Sequence, residues 1–178
     1  MEREVSLNLN KLLPLIEEVP SYRQINGEIE RGNSTRAGIL EAAKPYFLAA
    51  LYQRLKRPLL VVTSQPEDAK RLNEQLLTWC DSGRVMLFSE PESLPYENIS
   101  PDKQIEMERL QTLSALVNIT SDDDAPPKSP PLVIISAPAL VPKIVDHKDF
   151  IAAFNTIKVG MEAKPFELLS RWEALGYR

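Results

Sequence analysis

Pro58-Leu59-Leu60-Val61-Val62-Thr63 is an unbroken apolar run that meets its first polar side chain only at Thr63. A strand with one face in water alternates apolar and polar residues. A run without alternation belongs to a strand buried on both faces, as in a parallel sheet covered by helices. Working outward, Ser64 and Glu67 have the spacing of a capping box, which predicts a helix to about Trp79. Arg84 to Phe88 is a second short apolar strand, and Ser100-Pro101 opens a long helix with Ile105, Leu110, Leu113 and Leu116 facing inward. Leu132 to Ile135 is again an apolar strand, with Ser136 placed to cap a short helix after it. On the amino-terminal side, Pro45 to Arg57 reads as a helix, and Thr35 to Leu40 as a first strand. Two helical segments precede it, near Asn10 to Glu18 and from Pro20 to Arg31; Pro20 suits a first helical turn and Gly32 an exit. Strands alternating with helices specify an α/β fold, an open parallel sheet flanked by helices.

This pattern fills residues 1–153, the first expected domain. It is interrupted at 119–131 by a segment holding Asp122-Asp123-Asp124 and Pro126, Pro127, Pro130 and Pro131. Such a composition buries no apolar area and reads as a mobile loop inserted between elements. Residues 154–178 read as the start of a second, small α+β domain. A strand near Asn155 to Met161 and a helix from Pro165 to Leu175 cannot close a core by themselves. The expectation is a fragment, with a sheet edge open near Thr156 to Met161 and the face of Phe166, Leu169 and Trp172 weakly covered. Open edges and apolar faces invite association, so Trp172, Phe166 and the neighbouring Arg178 form a candidate partner surface, and a homo-oligomer is one expected outcome.

Charge excludes several classes of function. From Glu90 to Asp124 nine acidic residues face only Lys103 and Arg109, which repels nucleic-acid phosphate. Residues 1–60 carry nine basic against seven acidic side chains, too small a bias to hold DNA. With one cysteine, Cys80, no intrachain disulfide forms, and one cysteine plus one histidine is a poor zinc set. No apolar run is long enough to span a membrane and the amino terminus is not a secretory signal, so a cytoplasmic chain is expected.

The local feature of greatest interest is Gly38-Ile39-Leu40-Glu41-Ala42-Ala43-Lys44-Pro45, between an expected strand and an expected helix. A working phosphate loop reads G-x-x-x-x-G-K-[ST] at that place. Gly38 and Lys44 keep the register; Ala43 stands where the second glycine belongs, and Pro45 where a hydroxyl holds Mg²⁺. Alanine resists the curled backbone that cradles phosphate, proline lacks both hydroxyl and N–H, and Glu41 adds a carboxylate where phosphate would sit. These four residues, Gly38, Ala43, Lys44 and Pro45, are therefore read as a degenerate phosphate loop that hydrolyses no ATP. The same eight residues also arise by chance in strand–loop–helix units.

Other candidates have plainer readings. Tyr96 is a loop anchor before it is a binding aromatic. Asp146 and His147 are adjacent on a helix and face different directions, as do Glu106 and Glu108. Cys80 after Trp79 is a small apolar residue at a helix end. No nucleophile with an adjacent base, no acid–base pair and no metal cluster is present, so no catalytic residue is assigned and no cofactor is expected for this chain.

Two segments carry a family resemblance. Leu94-Pro95-Tyr96-Glu97-Asn98-Ile99-Ser100-Pro101, followed by Arg109-Leu110, is one; Pro58 to Thr63, Leu72 to Leu76, Leu132 to Ala139 and the closing Gly176-Tyr177-Arg178 form the other. From about Leu12 to Arg178 the chain resembles the N-terminal UvrB-homology module of bacterial transcription-repair coupling factors, whose fold is that of a P-loop NTPase or helicase domain. The resemblance implies that the intact factor is an ATP-dependent DNA translocase, using ATP and Mg²⁺ in a downstream motor. That factor displaces stalled RNA polymerase and recruits UvrA for nucleotide excision repair. It also implies a phosphate loop that is typically lost, and a UvrA surface lying mostly beyond the Gly176-Tyr177-Arg178 segment and so only partly present. RNA polymerase and DNA contacts belong to regions further downstream. A working nucleotide-binding domain with a modified loop, and a free-standing α/β binding protein, are the competing readings.

Overall fold

A computed structural model of the chain describes residues 9–91, 102–117, 130–153, 160 and 164–174, the side chains of 171, 172 and 174 excepted. It divides into two compact units, Met1–Pro142 and Lys143–Arg178.

The first unit is an α/β fold. A 3-10 helix, Asn10–Glu18, comes first; Pro14 lies within it and withholds the N–H that an α-helix would use there. Then follow α1 (Pro20–Glu30), α2 (Lys44–Leu55), β1 (Leu59–Thr63), α3 (Pro66–Leu76), β2 (Val85–Phe88), α4 (Lys103–Val117), β3 (Leu132–Ser136) and α5 (Ala137–Leu140). The three strands form one parallel sheet in the order β1-β3-β2, with Leu59 and Val85 both level with Leu132. The central strand is wholly buried along its length, which is why Leu-Val-Ile-Ile reads as apolar without alternation.

The two sheet faces have separate cores. On one, Leu132, Ile134 and Val85 pack with Leu59, Val61, Ala69 and Leu76, and the layer continues through Ala49, Tyr52 and Tyr22 to Leu13 and Ile16. On the other, Val133, Ile135 and Phe88 pack with Leu113 and Leu116 of α4. The opening helices are fastened to α2 by polar contacts at its surface. The Tyr46 hydroxyl donates to the Leu12 carbonyl at 2.9 Å, and Arg54 reaches Glu17 at 3.2 Å and Glu30 at 3.3 Å.

Four local expectations need correction. Thr35 to Leu40 is not a strand: it is irregular, and Leu40 is 82% exposed. Arg36 and Gly38 interrupt the apolar pattern there, so the segment has too little to bury to join a sheet. The Ser64–Glu67 capping box does not form. Gln65 is the N-cap residue, Pro66 supplies the first helical turn, and the helix stops at Leu76, ahead of Trp79. In α4, Leu110 is 46% exposed and the buried seam is centred on Thr112, at 1%. The Thr112 hydroxyl can enter that seam because it donates to the Glu108 carbonyl one turn back, at 3.0 Å. Ser136 does cap α5, accepting from the Ala139 amide at 3.3 Å.

The second unit contains α6 (His147–Ala153) and α7 (Pro165–Ala174). Asp146 caps α6, its carboxylate accepting from the Lys148 amide at 2.9 Å. Most of the expected strand at Asn155 to Met161 lies outside the described residues; within it only Gly160 is described, and it sits in a turn. Most of the Asp/Pro segment, including Asp122 to Pro127, also lies outside them, as do Tyr96 and the surrounding Leu94 to Pro101.

Candidate functional site

Lys44 begins α2 and Pro45 occupies its first turn, where a missing N–H costs nothing. Pro45 is buried, Ala43 half-buried and Gly38 exposed. Gly38 does not adopt a positive φ, which among the described residues belongs to Gly32, Gly160 and Lys56. A Cβ at Gly38 would meet nothing within 4 Å. The eight residues therefore do not curl as one loop: 35–40 run irregularly, and Glu41–Ala43 form a single 3-10 turn leading straight into α2.

Within that turn the ammonium of Lys44 is held by Glu41, three residues back, through a charge-assisted hydrogen bond. Arg71 of α3 approaches the other Glu41 oxygen at 3.5 Å and also holds Asp68 at 2.7 Å. The hydrogen bond from Lys44, reinforced by the charges of Lys44 and Arg71, holds the Glu41 carboxyl below its ordinary range. The one cation that kept its register is thus already paired with a carboxylate.

Open α/β sheets present ligands at the carboxyl ends of their strands. Here that edge opens into a cleft of about 370 Å³, between the ends of β2 and β3 and the starts of α3 and α4. Its ionisable lining is Glu74, Glu90, Asp102 and Glu108 against Lys70. Such a lining repels a polyphosphate. No sequence motif marked this cleft, since its carboxylates come from three separate segments. Among the described residues no group of three or more metal-binding side chains exists.

The remaining candidates are dispersed. Cys80 is buried, with a thiol pushed up to about 11 by loss of solvent and by the Asp81 carboxylate, so it is neutral near pH 7. It lines a different cleft, of about 390 Å³, at the amino-terminal edge of the sheet with Tyr52 and Arg84. His147 is exposed at the start of α6. Glu106 is exposed, while Glu108 accepts from the Gln104 amide at 3.0 Å. Phe166 and Leu169 of α7 are 84% and 56% exposed; the Trp172 side chain and Arg178 lie outside the described residues. Arg109 has a structural position: its guanidinium lies 4.0 Å from the centre of the Phe88 ring and donates to the Ser89 carbonyl. Among the described residues no helix is long and apolar enough to cross a membrane.

No family model matches the chain. Individual curated proteins do. Over 115 residues, 64% of this chain, it is 31% identical to the transcription-repair-coupling factor of Rickettsia bellii, covering 10% of that protein. Over 164 residues, 88% of the chain, it is 27% identical to the factor of the same name from Myxococcus xanthus, covering 13%. With the Bacillus subtilis factor it shares 20% identity over 171 residues, 95% of this chain and 14% of that protein. The chain is therefore related, at low identity, to a part of transcription-repair-coupling factors amounting to about a seventh of their length or less.

Proposed function

We propose that this chain is a non-catalytic module from the N-terminal region of a transcription-repair coupling factor, built like a nucleotide-binding domain but used as a scaffold. In the intact cytoplasmic factor the module would carry part of the surface that recruits UvrA. RNA polymerase, DNA and the ATP and Mg²⁺ of the motor would be handled by other regions.

One observation above all supports the scaffold reading: Lys44, the cation that would meet a phosphate, is engaged by Glu41. Binding a triphosphate there would require breaking that pair and bringing phosphate beside the carboxylate. No hydroxyl at position 45 would help to hold magnesium.

Calorimetric titration of the chain with Mg-ATP and with Mg-ADP tests the reading. No heat of binding below millimolar nucleotide is expected. Micromolar, magnesium-dependent binding that Lys44→Ala abolishes would favour a working nucleotide domain with a modified loop. Titration with UvrA tests the recruitment role separately.

A further inference from the structure

The cleft at the amino-terminal edge of the sheet, about 390 Å³, has no part in the scaffold role. Its volume is that of a small-molecule site. Four segments wall it: the 3-10 helix, the later turns of α2, the stretch from Trp79 to Arg84, and Pro130. All belong to the first unit, so the cleft is a feature of the α/β fold itself. Its inner lining is apolar. Leu13 and Ala49 are buried, and the Trp79 indole is half-buried, 4.9 Å from the Tyr46 ring. Its exposed lining is cationic. Lys56 ends α2 with φ 49° and ψ 35°, and among the described residues no other non-glycine has a positive φ. Glycine usually closes a helix in this way. Lysine there accepts backbone strain of the kind found at ligand sites. Its ammonium joins none of the ion pairs formed among the described residues. Arg84 is the second cation, and its contact with Asp81 is loose, at 3.7 Å.

We infer that this cleft is a binding site for a small planar aromatic acid. The ring lies against Leu13, Ala49 and Trp79, and the carboxylate is met by Lys56 and Arg84. Asp81 faces these two cations, so the lining carries a single net positive charge. That balance suits a monoanion and disfavours a triphosphate. The site is separate from the altered phosphate loop. Lys44 begins the helix that Lys56 ends, and its twelve residues set the two lysines about 18 Å apart.

Titration of the isotope-labelled chain with 2-naphthoate, followed by amide and indole N–H shifts, tests the site. Saturable shifts at Trp79, Lys56 and Arg84 are expected, with submillimolar affinity. Lys56→Gly removes the ammonium and suits the left-handed backbone. It should bind 2-naphthoate about tenfold more weakly while unfolding no earlier, and Lys56→Arg should stay within about threefold of the original affinity. 2-Naphthylmethylamine, which carries the opposite charge on the same ring, should not bind. Absence of saturable shifts overturns the inference. So does equal binding of the amine, shifts confined to another part of the chain, or an affinity unmoved in Lys56→Gly. Mg-ATP titration reports on Lys44, so the scaffold reading and this site fail or stand separately.

Discussion

Arg109 covers Phe88. Its guanidinium carbon lies 4.0 Å from the ring centroid, and the same group donates to the carbonyl of Ser89, the residue after β2. This joins α4 to the end of β2 by a stacked cation and a charge-assisted hydrogen bond together. Partial burial lowers the guanidinium pKa, but arginine remains charged. Replacing Arg109 by lysine keeps the charge but removes the flat face and the fork. Arg109→Lys should cost about 1 kcal/mol and Arg109→Ala about 2 kcal/mol of stability. Urea denaturation followed by tryptophan fluorescence checks this; equal stability of all three proteins would show that the contact contributes nothing.

Gly38 separates a relic from a working loop. A position requires glycine where the backbone takes a positive φ or where another group comes too close for a Cβ; Gly38 has neither, with no positive φ and nothing within 4 Å of its missing Cβ. Gly38→Ala should leave the fold intact and raise stability by about 0.5 kcal/mol, through a less flexible unfolded chain. A loss of more than about 1 kcal/mol on thermal or urea unfolding would mean that the glycine is required where it stands.

Glu41 gives that neighbourhood a pH signature. Its folded-state pKa is depressed, chiefly by the hydrogen bond from Lys44. The contribution is therefore present above the unfolded carboxylate pKa and lost as pH falls through the depressed folded value. Because the group is fully exposed, the effect is small and screened by salt. In carbon-detected titration of glutamate side chains, Glu41 should titrate below the ordinary value of 4.5 and move back toward it in Lys44→Ala, where only Arg71 still lowers it. An unchanged midpoint in that variant would dissolve the pair.

Cys80 titrates in the opposite sense. Burial lifts its thiol from an ordinary 9.0 to about 11, so the folded state holds the proton more tightly than the unfolded chain. Stability from this group is complete below about pH 9 and is lost as pH rises through about 11. Tyr22 and Tyr52 are also raised by burial, so an alkaline unfolding curve mixes three groups. Thiol reactivity isolates one of them. The native protein at pH 8 should react with a disulfide reagent far more slowly than the urea-unfolded chain. Equal rates would place Cys80 at the surface.

The parts of this fold that could be read from sequence are those where one physical demand dominates. Leu132 to Ser136 was legible because double burial leaves only apolar residues. Leu59 to Thr63 carries the same apolar signature and does form a strand, but it is not buried on both faces, since Leu60 and Val62 are 55% and 51% exposed. Ser136 was legible because a hydroxyl before an apolar turn has one good use, the amide of Ala139. Thr35 to Leu40 was misread because β-branched residues at its two ends suggest a strand, while the burial that makes a strand depends on distant neighbours. Thr112 escaped notice because a polar residue in a helical seam carries no apolar signal; its partner is the backbone one turn away. At the candidate site, the altered residues of the phosphate loop were visible in the sequence. The pairing of Glu41 with Arg71 was not, since it depends on how α3 lies beside the start of α2; that of Glu41 with Lys44 is local, three residues apart in one turn, and the spacing alone allows it.

The middle strand of the sheet is the last of the three to be made. β1 and β2 both bond to β3 and not to each other, and Leu59 waits for Leu132. A growing chain therefore holds two orphan strands until residues 132–136 emerge from the ribosome, and ordering the sheet means closing both long loops at once. A version ending at residue 131 should keep helical circular dichroism but show no cooperative unfolding transition. A sharp transition in it would mean that the helices alone can organise the core.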